Sequence, residues 1–208
     1  MTERPATPGP RRERAAVPGG GAPGDGAEPA SGSGPGGGAA AAGALAAVVS
    51  GALAAWAGAV TLVTLADGRD DIGVTVSAFC PLSADPPLVL VSLMSESYPA
   101  ELFGRPEEPA SRFAVTLLSA GQRVLAGRFA AEGRPGARLL LASVPHQRGP
   151  GSAALIPDGG LAALECETQQ VLPAGDHLLV MARVTSVPYV SETGEPLIRF
   201  RGRYTARP

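Results

Sequence analysis

Along Gly73-Val-Thr-Val-Ser-Ala78 the apolar and hydroxyl-bearing side chains alternate. Val74, Val76 and Ala78 fall on one face and Thr75 and Ser77 on the other, a period of two that marks a strand over 72 to 78. Phe79 to Ala84 reads as a hydroxyl-lined turn, closed by Asp85-Pro86-Pro87, and Leu88 to Leu93 is apolar except for Ser92, as a buried strand is. A β-rich run from 59 to 66 precedes this unit and joins it through a turn at 67 to 71. Residues 97 to 103 form a short helix if Pro99 lies in its first turn, where a missing N–H is harmless. Arg112 to Leu118 is a strand. Ser119 and Gln122 then stand at capping-box spacing before a helix that runs through Phe129. Loops rich in Gly, Pro and Arg fill 131 to 152 around Leu139 to Leu141. Two further strands, 161 to 172 and 177 to 187, flank a turn at Pro173-Ala-Gly175. The chain closes with Pro196 to Phe200 and Arg201 to Tyr204. Many short strands, few helices and no βαβ alternation predict a β-barrel with attached helices.

The first forty or so residues break this pattern. They are Gly, Pro and Ala with scattered charges and one larger aliphatic side chain, Val17, too little apolar surface to offset chain entropy. A tail without structure is expected over 1 to 42 and one compact domain over 43 to 208. Gly19 to Gly24 spells GxGxxG, but no strand precedes it and its proline bars a helix, so it is discarded as a dinucleotide site. The uncharged stretch 39 to 66 is long enough to cross a bilayer. Its Ala and Gly content, with Leu45, Val48, Val49, Leu53 and Trp56 three to four residues apart, instead predicts an amphipathic helix packed on the core. The Arg11-Arg12 pair lacks the apolar run of a signal peptide.

A net charge of -2 on 208 residues gives no footprint for nucleic acid or an anionic membrane. Every basic side chain is Arg. Cys80 and Cys166 stand far apart in no metal-binding spacing, so no metal is expected, and a reducing cytoplasm is the default setting.

Four segments, in order, resemble the flavin reductase family. Gly73 to Pro87 is similar to its G-x-T-x-S-S-F-x-x-x-S-x-x-P-P pattern. Arg112 to Leu118 followed by Gln122 to Ala130 is similar to its R-F-x-V-N-V-L and Q-x-x-L-A-x-x-F-A pair. Gly175-Asp176-His177 is similar to its G-D-H turn, and Pro196-Leu197 to Gly202-Arg203-Tyr204 to its closing segment. The resemblance covers residue 45 onward. Ala78, Thr116 and Ala182 depart from it where Ser, Asn and Gly are usual, and Pro99 stands where a Thr is common.

The resemblance implies an FMN-binding split β-barrel, Greek-key-like and mainly β with helices. It implies an NAD(P)H-dependent oxidoreductase that reduces FMN or FAD with NADH or NADPH, a homodimer, and a separate oxygenase that receives the reduced flavin. Backbone donors of the turn Ser77-Ala78-Phe79-Cys80 would face the flavin edge, where charge develops on reduction. Thr75, Val76 and Ser77 would line ring and ribityl chain; Ser92, Leu93, Ser95 and Ser97 would lie at the end of the next strand. Arg128 and Phe129 would lie near the phosphate, with Arg203 and Tyr204 at the barrel end. His177, oriented by Asp176, would position the nicotinamide. Two readings outside diffusible-flavin reduction stay open: a flavoenzyme acting directly on an organic substrate, and a non-catalytic flavin-binding module.

Overall fold

The computed structural model describes residues 36 to 68 and 70 to 206. The expected N-terminal tail, the Arg11-Arg12 pair and the glycine run from Gly19 lie outside the described residues, except that from Gly36 the chain is helical. Two units are distinguished, 1 to 42 and 43 to 208, and every strand belongs to the second.

Helix α1 (Gly36–Leu53) departs from expectation in its packing. Leu45, Val48, Leu53 and Trp56 are 64, 69, 66 and 78% exposed, so among the described residues the apolar positions meet no core. The core instead closes over the strands C-terminal to the helix. After the two-residue β1 (Gly58–Ala59) comes β2 (Thr61–Leu65), buried at all five positions. Its faces serve two clusters: Val63 and Leu65 point into the barrel, and Leu62 packs outward with Phe129 and Leu141. Its buried hydroxyls are satisfied by carbonyls, Thr61 by Val76 at 2.9 Å and Thr64 by Leu155 at 2.7 Å.

β3 (Ile72–Val76) pairs with β2 and ends two residues earlier than the alternation predicts. The expected turn over 79 to 84 is a strand, β4 (Phe79–Ala84), paired with β5 (Pro87–Met94). Five of its six residues are exposed, so no alternation marks it, and as an edge strand it tolerates Pro81. α2 (Tyr98–Gly104) begins at Ser97, whose hydroxyl accepts from the Ala100 N–H, with proline in the first turn as predicted. β6 (Arg112–Leu117) leads to the capping box: the Ser119 N–H donates to Gln122 Oε1 at 3.1 Å. A single 3₁₀ turn then enters α3 (Arg123–Ala130).

The region expected to be loops contains α4 (Ala137–Leu141) and β7 (His146–Arg148), which pairs with β8 (Leu155–Pro157). β9 (Ala162–Ala174) and β10 (His177–Val190) form a long hairpin kinked by three register shifts. Its loop is Gly175-Asp176 rather than 173 to 175. Ala174 pairs with His177 across it, and Gly175 holds φ +63°, which a two-residue antiparallel connection requires. β11 (Ile198–Phe200) and β12 (Arg203–Thr205) join β1 in a small sheet.

The main sheet runs β3-β2-β6-β9-β10-β5-β4, antiparallel throughout. If flat, its edges would stand roughly 29 Å apart. Yet only Ser77 and Ala78 link edge strand β3 to edge strand β4, a reach of no more than about 11 Å. The sheet therefore curls until its edges approach at the link, and the Ser92 N–H donates to Ala78 O at 3.0 Å, extending the β4–β5 ladder one residue into that link. The result is a mainly β split barrel with its core inside and α3, α4 and the small sheet on its flank.

Candidate active site

A cleft of about 880 Å³ opens on this flank. β3 and the Ser77-Ala78 link form its floor, the end of β5 and the start of α2 one wall, and residues 129 to 136 the other. Arg199 and Tyr204 of the small sheet close one end. The floor is held to its wall at close quarters. A Cβ on Gly73 would stand 2.4 Å from Phe129 Cε1, so only glycine lets α3 lie against β3. The Thr75 hydroxyl donates to Ala126 O at 2.7 Å, tying the same two elements.

Many of the sequence-derived residues converge on this cleft: Thr75, Val76, Ser77, Ala78, Ser92, Leu93, Ser97, Phe129, Tyr204 and His177 all border it. Asp176 does not border it but holds His177, with Asp176 Oδ1 2.6 Å from His177 Nδ1. A carboxylate can only accept, so Nδ1 carries the proton and Nε2 remains as the ring's other polar atom. The His177 bond holds the exposed Asp176 carboxyl below its ordinary range.

Others lie elsewhere. Phe79 packs on the barrel core, and Ser95 donates its N–H to Asp176 O at 2.9 Å outside the cleft. Arg128 and Arg203 are exposed and do not line it. Cys80 is exposed on β4, and Cys166 is buried, its thiol pushed up to about 12 by burial and the neighbouring Glu165 charge. Sequence reasoning missed Arg134, Arg199, Glu96 and Glu132, which line the cleft from loops or a short strand. The Gly-Arg-Pro-Gly string at 133 to 136 was the one local signal for Arg134.

Beside the cleft, the β2–β3 turn is locked by a buried carboxylate. Asp71 accepts from Arg138 Nε at 2.8 Å and Arg148 Nη2 at 2.7 Å, at φ +46°. Burial pushes its carboxyl up, but hydrogen bonds from Arg148 and Arg138 outweigh that and leave it below the usual range. Among the described residues no cluster of His, Cys, Asp and Glu could hold a metal, and no helix is long and apolar enough to cross a membrane.

The cleft thus combines apolar side chains, a row of hydroxyls, and two guanidinium and two carboxylate groups, the mixed lining of a small-molecule site. Residues 53–207 match the family described as flavin reductase like domain, and the chain belongs to that family. It is 36% identical over 146 residues to the NADH-dependent FMN reductase AsuE2 of Streptomyces nodosus subsp. asukaensis, covering 70% of this chain and 76% of that one. It is 32% identical to the reductase component of 4-hydroxyphenylacetate 3-monooxygenase from Thermus thermophilus, over 74% and 91% of the two chains. Among solved structures, the NADH:FAD oxidoreductase SgcE6 of Streptomyces globisporus, in complex with NAD and FAD fragments, superposes with a TM-score of 0.68 at 25% identity, over 77% of this chain and 91% of that one.

Proposed function

We propose that this chain is an NAD(P)H:flavin oxidoreductase that reduces FMN or FAD by hydride transfer and releases reduced flavin to a separate oxygenase. The observation that carries the reading is the convergence of the β3–β4 link and the Asp176-held His177 on one cleft. The residues present fit a flavin: Ser77 and Ser92 offer hydroxyls to a polyol, and Arg134 and Arg199 suit a phosphate. When bound, flavin supplies the acceptor for hydride from the nicotinamide.

The chain's own residues do the positioning. His177, fixed through Nδ1, presents Nε2 to the nicotinamide carboxamide, an alignment role that lowers the entropic part of the barrier. The barrel floor excludes water from one ring face. The exposed apolar side chains between Leu45 and Trp56 support a homodimer, since a second copy would take them out of water.

The test is a steady-state assay crossing FMN, FAD and riboflavin with NADH and NADPH. A protein that is colourless as purified and oxidises nucleotide only when flavin is added fits the reading. A stably yellow protein inert to both nucleotides would sink it.

A further inference from the structure

We propose that Arg134, from the 133 to 136 loop, is the residue that holds the phosphate group of the flavin; this rests on the flavin-reductase reading of the cleft. Arg134 is half-buried and borders the cleft. Its Nε donates to Gly73 O at 2.8 Å and its Nη1 to Ala131 O at 3.2 Å. Both acceptors are neutral carbonyls. Among the described residues no carboxylate pairs with it, although Glu132 borders the same cleft. A half-buried cation balanced only by carbonyls favours an anion, and the two bonds fix its planar fork before any ligand arrives, leaving the remaining N–H donors for phosphate oxygens.

Position selects the flavin's phosphate. Arg134 is anchored at the Gly73 end of β3 and the Ser77-Ala78 link lies at the other end, about 13 Å away along an extended strand. A ring read at the link, a five-carbon polyol along the unpaired edge of β3 and a terminal phosphate at Arg134 fill that span in order. Arg128, exposed on the last turn of α3, does not border this path.

Flavin-fluorescence titrations with FMN and riboflavin, which differ only in the phosphate, test this on the wild type, Arg134→Gln, Arg134→Lys and Arg128→Gln. Wild type should bind FMN more tightly than riboflavin. Arg134→Gln should weaken FMN roughly ten- to hundredfold while leaving riboflavin within about twofold, the loss expected for charge-assisted hydrogen bonds. Arg134→Lys should recover part of the difference, and Arg128→Gln should keep it whole. Equal loss of both flavins in Arg134→Gln would make Arg134 a structural pin on Gly73 and overturn the proposal. So would loss of discrimination in Arg128→Gln instead, or a raised KM for NADH with the FMN to riboflavin ratio unchanged. Wild-type protein that binds neither flavin and oxidises no nucleotide would remove the flavin reading itself, and the proposal with it.

Discussion

At Gly73 a single missing side chain sets how closely α3 lies against β3. The space a Cβ would take is filled by Phe129, a fully buried ring whose helix also receives the Thr75 hydroxyl at Ala126 O. Gly73→Ala is therefore expected to cost about 1–3 kcal/mol by overpacking and to weaken flavin binding together with stability. Urea denaturation beside a flavin titration checks both, and a variant as stable as wild type would show that Phe129 can move aside. His177 makes a different kind of demand. Its ring is held from Asp176 at the hairpin end, away from the β3 floor, so His177→Ala should raise the apparent KM for the pyridine nucleotide and leave flavin affinity nearly unchanged. Unaltered nucleotide dependence would reduce it to a turn residue. Gly73 and His177 both stood out in the chain because local pattern marks them, one opening an alternating strand and the other closing a Gly-Asp-His turn. The reason for glycine at 73 was not visible, since Phe129 reaches it only through the packing of α3.

Elements whose signal is local were legible: the doubly buried β2, the Ser119–Gln122 cap, the proline-started α2 and the β9–β10 hairpin. β4 was not, because an edge strand with solvent on both sides has no reason to alternate, and α1 misled because helical spacing of apolar residues does not say what covers them. Arg134 and Arg199 meet β3 only after the chain returns, and Asp71 and Glu165 as buried carboxylates depend wholly on that return. Glu165 staples the 149 to 152 loop to the barrel. Its Oε1 accepts from the Gly151 and Ser152 N–H groups and the Ser152 hydroxyl, and its Oε2 accepts from Ser186 at 2.6 Å. Burial raises its carboxyl, and the bonds from Ser186, Ser152 and Gly151 outweigh burial and hold it below the ordinary value, as the arginines do for Asp71. A carboxyl depressed in the fold contributes stability that is whole above its unfolded pKa, about 4, and that fades as pH falls through the lower folded value. Stability should thus stay level from neutral pH to about 5 and decline below about 4. Glu165→Gln should cost roughly 1–3 kcal/mol at pH 7 and flatten that acid decline. An acid decline identical to wild type, measured by denaturation at stepped pH, would show that Glu165 is not the titrating staple.

For the molecule as a whole, the barrel buries its strands well and leaves the apolar side chains between Leu45 and Trp56 uncovered. Leu45, Val48, Val49, Leu53 and Trp56 place five large apolar side chains in solvent on one short segment, each at least 44% exposed. Burying a side chain of this kind is worth about 1.5–3 kcal/mol, which favours the homodimer proposed above over an uncovered segment. The segment ends near the β3–β4 link: a Cβ on Gly58 would stand 3.3 Å from Ser77 O and 3.7 Å from Trp56 Nε1, so whatever covers Trp56 lies close to that link. Assembly and ligand binding should then change together. Leu53→Glu with Trp56→Glu is expected to shift sedimentation from dimer to monomer and, in the same preparation, to weaken flavin binding severalfold without lowering Tm in proportion, because neither side chain packs in the barrel core. A wild-type chain that sediments as a monomer at tens of micromolar would refute the dimer. A monomeric variant with undiminished flavin affinity would refute the coupling alone and leave each cleft complete within one chain.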